Sequence, residues 1–309
     1  MRLVVDGDDV VVLQARYHYD GDLSGCGGTS QSTRVALPPV PVDDMAMTVV
    51  SPRSARVDLV RSSVVAVLAV VQIVVAGLAG SGAVGRPVGA VAADYRTPLQ
   101  AADWAFAIWV PIYVGFLAYA GFQLLPSQRG REIHRRTGWW MAASAVLNPL
   151  CILAFGGRVI LAAELLVIAL LVALATVFGR LSHEPAADLR ERMLLRGPVA
   201  FYTGWVSLAT VRGTAITGVW AGLPGGNALA AIAAVVVLLA AAAIVAWVVL
   251  SGTAVVGYAA AACWALAGMA LNDPPPAVVV TGAVAMVIVL AATARRLTTA
   301  GNRMRAAWG

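Results

Sequence analysis

The chain has 309 residues, of which 60% are hydrophobic and 12% charged, and its mean hydropathy is +0.81. A soluble domain keeps roughly 25% charged residues, so this composition excludes a water-soluble globule. The net charge of +6 is carried by arginine alone, and the arginines lie in short segments between apolar runs. Membrane topology accounts for that placement, and nucleic-acid binding is not implied.

Residues 1–60 differ from everything after them. Up to Asp44 the chain holds seven Asp and three Arg among Gly, Ser and Pro, without a periodic pattern. It lacks the basic and apolar regions of a signal peptide and reads as a disordered or non-native extension, with Met45 and Met47 as sensible alternative starts. The rest consists of continuous apolar runs about twenty residues long, the length a helix needs to cross ~30 Å of hydrocarbon. A membrane barrel would instead alternate apolar and polar residues over ~10-residue strands. The expected fold class is therefore all-α, a polytopic membrane bundle with spans over 64–83, 104–125, 138–156, 159–179, 198–221, 228–250, 253–271 and 276–294.

Arginine placement supports that count. Arg53, Arg56 and Arg61 precede the first span. Arg129, Arg131, Arg135 and Arg136 separate the second from the third, and Arg180, Arg190, Arg192 and Arg196 the fourth from the fifth. Arg295, Arg296, Arg303 and Arg305 follow the eighth, leading into a basic tail over 297–309. The opposite loops hold only Arg86, Arg96 and Arg158. The positive-inside rule then puts both termini in the cytoplasm of a multi-pass cell-membrane protein, with the lipid bilayer as its first partner. The least defined boundary is the Ser251-Gly252 break between spans six and seven.

The second span opens Trp104-Ala-Phe106-Ala-Ile108-Trp109 and continues through Pro111 to Tyr113. Phe106, Trp109 and Tyr113 lie at i, i+3, i+7 and share a helical face. In the fifth span Tyr202, Trp205, Ala209 and Arg212 repeat the spacing. Aromatics at span ends commonly form interfacial belts, which suits Trp104, Trp139, Trp140 and Trp220. Trp109 and Trp205 sit about 8 and 18 Å below the outer surface at 1.5 Å per residue. On spacing alone, packing against lipid or core and lining a pocket are equally open to them.

These residues resemble the translocator protein or tryptophan-rich sensory protein family (TspO/MBR). The run from Thr97 to Tyr113 is similar to that family's W-x-F…W-x-x-(L/I)-Y signature. Leu147-Asn148 followed by Phe155-Gly156 resembles its L-N…F-F-G stretch, and Glu164-Leu-Leu its acidic-Leu-Leu. Tyr202, Trp205, Ala209 and Thr210 resemble its P-Y-x-x-W…A-T. The likeness covers residues 64–222, so a five-helix membrane domain over 61–222 is expected, followed by three additional helices over 223–296. The chain departs from the pattern in several places. Phe106 and Trp109 are one residue closer than usual, Phe201 replaces a Pro, and the fifth-helix Asn falls on Gly213. The doubled Pro before helix two is reduced to Pro98. The resemblance implies a hydrophobic planar ligand, a tetrapyrrole of the porphyrin type, held between the helices beneath the first loop. It points to Trp104, Phe106, Trp109, Tyr113, Asn148, Tyr202, Trp205 and Arg212 as its contacts.

Glu164 and Arg212 are the ionisable residues well inside the spans, about 9 and 8 Å from the outer surface. Such residues are functional candidates by default. A structural ion pair between them is expected, and the sharper alternative has Arg212 receiving an anionic ligand. Asn148 reads as an interhelical hydrogen-bond partner. His18, His134 and His183 fall outside the spans, which leaves no axial haem ligand in the bundle core. Cys26, Cys151 and Cys263 are scattered and form no metal or disulfide pattern, and no protein-held cofactor is expected. The run Ala76, Gly77, Gly80, Ser81 permits close helix packing, including that of a second copy in a homodimer. With no nucleophile–base pair in sight, the chain reads as a binding, sensory or transport protein. The alternatives are a light-dependent porphyrin-degrading enzyme using the indoles of Trp109 and Trp205, and a general eight-span transporter.

Overall fold

The computed structural model describes residues 52–309, with side chains from Ala55 onward. The expectations for the extension up to residue 51 lie outside the described residues. The first helix, α1, runs Pro52–Gly80, so residues 52–60, read from sequence as part of the extension, are helical. Arg56 is exposed there, whereas Asp58 is covered. Asp58 and Arg61 are 3% and 2% exposed, and Asp58 takes ion pairs from both Arg61 (2.7 Å) and Arg135 (2.6 Å).

A short helix α2 (Val88–Asp94) and a 3₁₀ turn over Asp103–Ile108 lead into α3 (Trp109–Leu124). After α4 (Pro126–Arg129), α5 (Glu132–Gly156) runs straight through Pro149 and stops at Gly157, with Arg158 left-handed behind it at φ 62°. Next comes α6 (Ile160–His183). The short α7 (Leu189–Glu191) starts on Asp188, whose side chain accepts the Glu191 N–H and so satisfies one of the free donors of a helix start. A π turn (Arg192–Arg196) joins it to α8 (Gly197–Trp220). The last helices are α9 (Ala228–Ser251), capped by Asn227, α10 (Val255–Ala270), α11 (Pro276–Thr299) and α12 (Arg303–Trp308). The break between spans six and seven falls at Gly252–Ala254, where Ala254 takes φ 56° and turns the chain.

The eight expected spans thus appear, in order, as the eight long helices among the described residues, in a polytopic helical membrane bundle. Six of them are long and apolar enough by composition alone to cross a membrane. The other two are α8, which is long but less apolar, and α10, with 16 residues. Both are interior helices. Their neighbours run α1–α5–α6–α8–α10–α11–α9 around the bundle, and α3 bridges α1 to α8. An interior helix meets protein on most sides, so Thr203, Ser207 and Thr210 can each return a hydroxyl proton to a carbonyl four residues earlier. Lipid meets the apolar outer faces instead, as at Val67, Val110 and Trp247, which are 62%, 65% and 68% exposed.

Candidate functional site

The 3₁₀ turn changes the aromatic face of the second span. Three residues per turn bring Phe106 and Trp109 into nearly the same direction, and α3 then carries Tyr113 one turn below. Trp109 stacks on Tyr113 with ring centroids 5.4 Å apart and meets Trp205 edge-on at 6.2 Å. Phe106 also meets Trp205 edge-on at 6.2 Å. The two aromatic faces read from the sequence therefore join into one cluster between α3 and α8, in the offset and edge-on arrangements that ring quadrupoles favour.

Beside this cluster lies a cavity of about 600 Å³, inside the size range of small-molecule sites. Phe106, Trp109, Tyr113, Asn148, Trp205 and Arg212 all line it. Asn148 is oriented by its own amide, which donates to the Tyr113 hydroxyl at 3.2 Å. Two of the residues pointed to by sequence are elsewhere. Trp104 is 43% exposed and packs edge-on against Trp264 at 5.1 Å, because the turn aims it toward α10. Tyr202 is 2% exposed and stands behind Trp109, centroids 5.9 Å apart, as a support and not as part of the wall.

Glu164 and Arg212 both line the cavity but do not form the expected ion pair. Thr214 donates its hydroxyl to Glu164 Oε1 at 2.7 Å, and Oε2 lies against Gly213, where a Cβ would stand only 2.1 Å from it. The missing side chain at Gly213 makes that slot. Arg212, one residue earlier, is turned about 100° away on the helix, and its guanidinium lies 5.1 Å over the Phe106 ring, a cation–π contact.

Sequence reasoning missed two parts of the wall. Gly77 and Gly80 of α1, read as a packing face, line the cavity, and a Cβ at either would meet nothing within 4 Å. Ala265 and Met269 of α10 complete it from the side of the late helices. His134, placed by sequence between spans, is fully buried in the first turn of α5, edge-on to Phe122, and is not among the lining residues. Among the described residues no group of three His, Cys, Asp or Glu side chains is placed to hold a metal ion.

Several polar atoms of the wall lack a partner, and most of these are donors. Trp205 Nε1, Thr217 Oγ1 and Arg212 Nε and Nη2 are buried without a hydrogen-bond partner, as is the acceptor Glu164 Oε2. Native proteins leave few such groups, and five of those buried among the described residues lie on this cavity.

A helical bundle of spanning length with an aromatic-walled cavity defines a polytopic membrane protein with room for a small molecule. The family model for TSPO-like protein matches residues 62–295, and the chain belongs to that family. Membership places it among membrane ligand-binding or sensory proteins. The match runs past Gly222, where the likeness read from motifs ended, and takes in α9, α10 and most of α11. No curated protein and no solved structure gives a significant match.

Proposed function

We propose that the chain binds a flat, hydrophobic, acidic ligand of the tetrapyrrole class in this cavity, as a sensor or carrier within the cell membrane. The observation that carries the reading is the set of unpartnered donors, Trp205 Nε1, Thr217 Oγ1 and Arg212 Nε and Nη2, on a mostly aromatic and apolar wall that also holds Asp103, Asn148 and Glu164. Flat rings stack on the indoles, and a guanidinium pairs with a carboxylate. The arginine-rich end of the bundle faces the cytoplasm in this reading, and both termini with it.

The experiment compares protoporphyrin IX with its dimethyl ester, following tryptophan quenching of the purified protein. Arg212→Gln should weaken the free diacid by about tenfold or more, the scale of a charge-assisted hydrogen bond, and leave the ester unchanged. Equal losses for both would remove Arg212 as the carboxylate partner, and no binding of either by the wild type would sink the tetrapyrrole reading. On the same assay Trp109→Ala and Trp205→Ala should each cost about 1–2 kcal/mol of binding. Trp308→Ala, in the terminal helix α12, should change nothing. Equal effects at all three positions would mean the signal reports membrane partitioning instead of the site.

The adjacency of Trp109 and Trp205 keeps a catalytic reading, light-driven breakdown of the bound ring, as the second choice, since two indoles 6.2 Å apart are well placed to pass an electron. Binding without turnover in the light would dispose of it.

A further inference from the structure

At the end of the bundle where α2 lies, the cavity adjoins a second hollow of about 780 Å³. The two share Pro87, Gly89, Ala101 and Asp103 in their walls. The chemistry of the second is different. Around it stand Arg96, Thr97, Gln100, Asp103, Asn272 and Asp273, a cation, two acids and three uncharged hydrogen-bonding groups. Among the described residues no salt bridge engages Arg96, Asp103 or Asp273. Gln100 Oε1 is buried without a partner.

The hollow is also built from two distant segments. Asn272 donates to the Gln100 carbonyl at 3.3 Å, and the Ala102 N–H donates to the Gly268 carbonyl at 2.9 Å. These bonds tie the loop before α3 to the end of α10. Asp273 is held at φ 49°, a left-handed conformation that Asp tolerates better than most residues. Gly89, on the wall the two hollows share, borders any passage between them. A Cβ built on Gly89 would stand 3.5 Å from Asp103 Oδ1, so a methyl group fits and a larger side chain would have to enter the passage.

We propose that this hollow is a second ligand subsite and the aqueous mouth of the cavity, seating a neutral hydroxyl- or amide-bearing substituent of a ligand whose flat body lies beyond Gly89. Charges of both signs in the wall oppose a net charge on the guest, whereas Gln100 Oε1 and the carboxylates accept from its donors and Asn272 and Thr97 can donate to it. The proposal rests on the reading of the cavity as a ligand site. The rival mouth opens sideways into lipid, where Gly77, Gly80 and Val110 line the cavity and are also exposed on the outer surface of α1 and α3.

Two measurements separate these cases. In full-length protein with its three cysteines replaced by serine, Ala209→Cys on the cavity wall is labelled with a membrane-impermeant, water-soluble thiol reagent. Gly89→Phe and the smaller step Gly89→Leu should slow labelling at least tenfold. Gly89→Ala should leave it unchanged, and Gly77→Phe, which fills the lipid-side opening, should slow it less than either large Gly89 variant. An unaltered rate in both large Gly89 variants, or a fall confined to Gly77→Phe, overturns the aqueous mouth whatever the ligand proves to be. The subsite is tested with protoporphyrin IX and with the same porphyrin carrying glucosamine on one propionate through an amide. Gln100→Leu should weaken the conjugate about tenfold and leave the parent unchanged. Equal affinities of the variant and wild type for the conjugate overturn the subsite, as does a conjugate that fails to bind where the parent binds. Failure of both porphyrins to bind counts against the tetrapyrrole reading and overturns this subsite as stated, while the labelling result still decides the mouth.

Discussion

Gly204→Ala is expected to destabilise the protein by about 3 kcal/mol, the upper end of what overpacking usually costs. A Cβ at this position would stand 2.3 Å from the Tyr258 carbonyl oxygen and 3.1 Å from its Cα. The obstacle is backbone, which cannot rotate aside as a side chain can, so α8 and α10 would have to move apart. The same interface uses Gly257, where a Cβ would lie 3.1 Å from the Gly197 carbonyl, and Ser207 closes it with a 3.0 Å hydrogen bond to the Tyr258 hydroxyl. Small residues are what bring helices close in a membrane, where lipid offers no hydrophobic drive for their association. Gly179→Ala is the control, since its Cβ would meet nothing within 4 Å and alanine favours a helix over glycine by up to about 1 kcal/mol. Thermal unfolding in detergent should therefore move in opposite directions for the two. If both variants are as stable as the wild type, α8 and α10 do not approach at Gly204.

Glu191→Gln should be more damaging still, about 3–5 kcal/mol, because it strands a buried cation. Arg196 is 1% exposed and clamps Glu191 Oε1 through Nε at 2.9 Å and Nη2 at 2.7 Å. Arg131 takes Oε2 at 2.6 Å, and Arg196 also donates to the carbonyls of Leu181 and Glu184. Replacing Glu191 and Arg196 together by leucine should recover much of the loss, as removal of a whole buried pair commonly does. A double variant no better than Glu191→Gln would show that the pair is not the source of the loss. The pH dependence follows from the same contacts. Burial alone would raise the Glu191 pKa, but the hydrogen bonds from Arg196 and Arg131 outweigh it and hold the carboxyl below its usual value. A depressed carboxylate contributes its full stability above the unfolded value of about 4.3 and loses it as pH falls through the lower folded value. Wild-type stability should therefore decline in that acid window, and the decline should be shallower in the double-leucine variant.

Much of this architecture can be read from residue order. Apolar runs of spanning length located every long helix, because a segment in lipid must satisfy its backbone internally and its length is set by the bilayer. The cavity wall was legible where helical spacing governs it, as at Trp109, Tyr113 and Trp205. It was not legible where a local departure from the α-helix reset the phase. The 3₁₀ turn aims Trp104 at Trp264, and no residue spacing announces that turn. The Glu164–Arg212 pairing failed for a related reason. Depth in the membrane placed both at one level, but the empty position at Gly213 drew the carboxylate to the neighbouring face of α8. Glycine at 204 and 257 was equally mute, since a glycine in a span reads the same whether it meets lipid or another backbone. The contribution of α10 to the site was hidden with it.

The interior position of α8 has a consequence for how the chain is made. This helix carries Arg212 in its outer half and is not among those apolar enough to cross on composition alone. Placing an arginine at the centre of a span costs about 2.5–3.5 kcal/mol during insertion, so α8 is a poor candidate for settling into the bilayer alone as it leaves the translocation channel. The partner that fits its glycine groove, α10, emerges from the ribosome some thirty-five residues later. The nascent chain is therefore expected to seat α8 only once the more apolar α9 and then α10 have emerged, so that truncation after Trp220 should leave α8 poorly inserted.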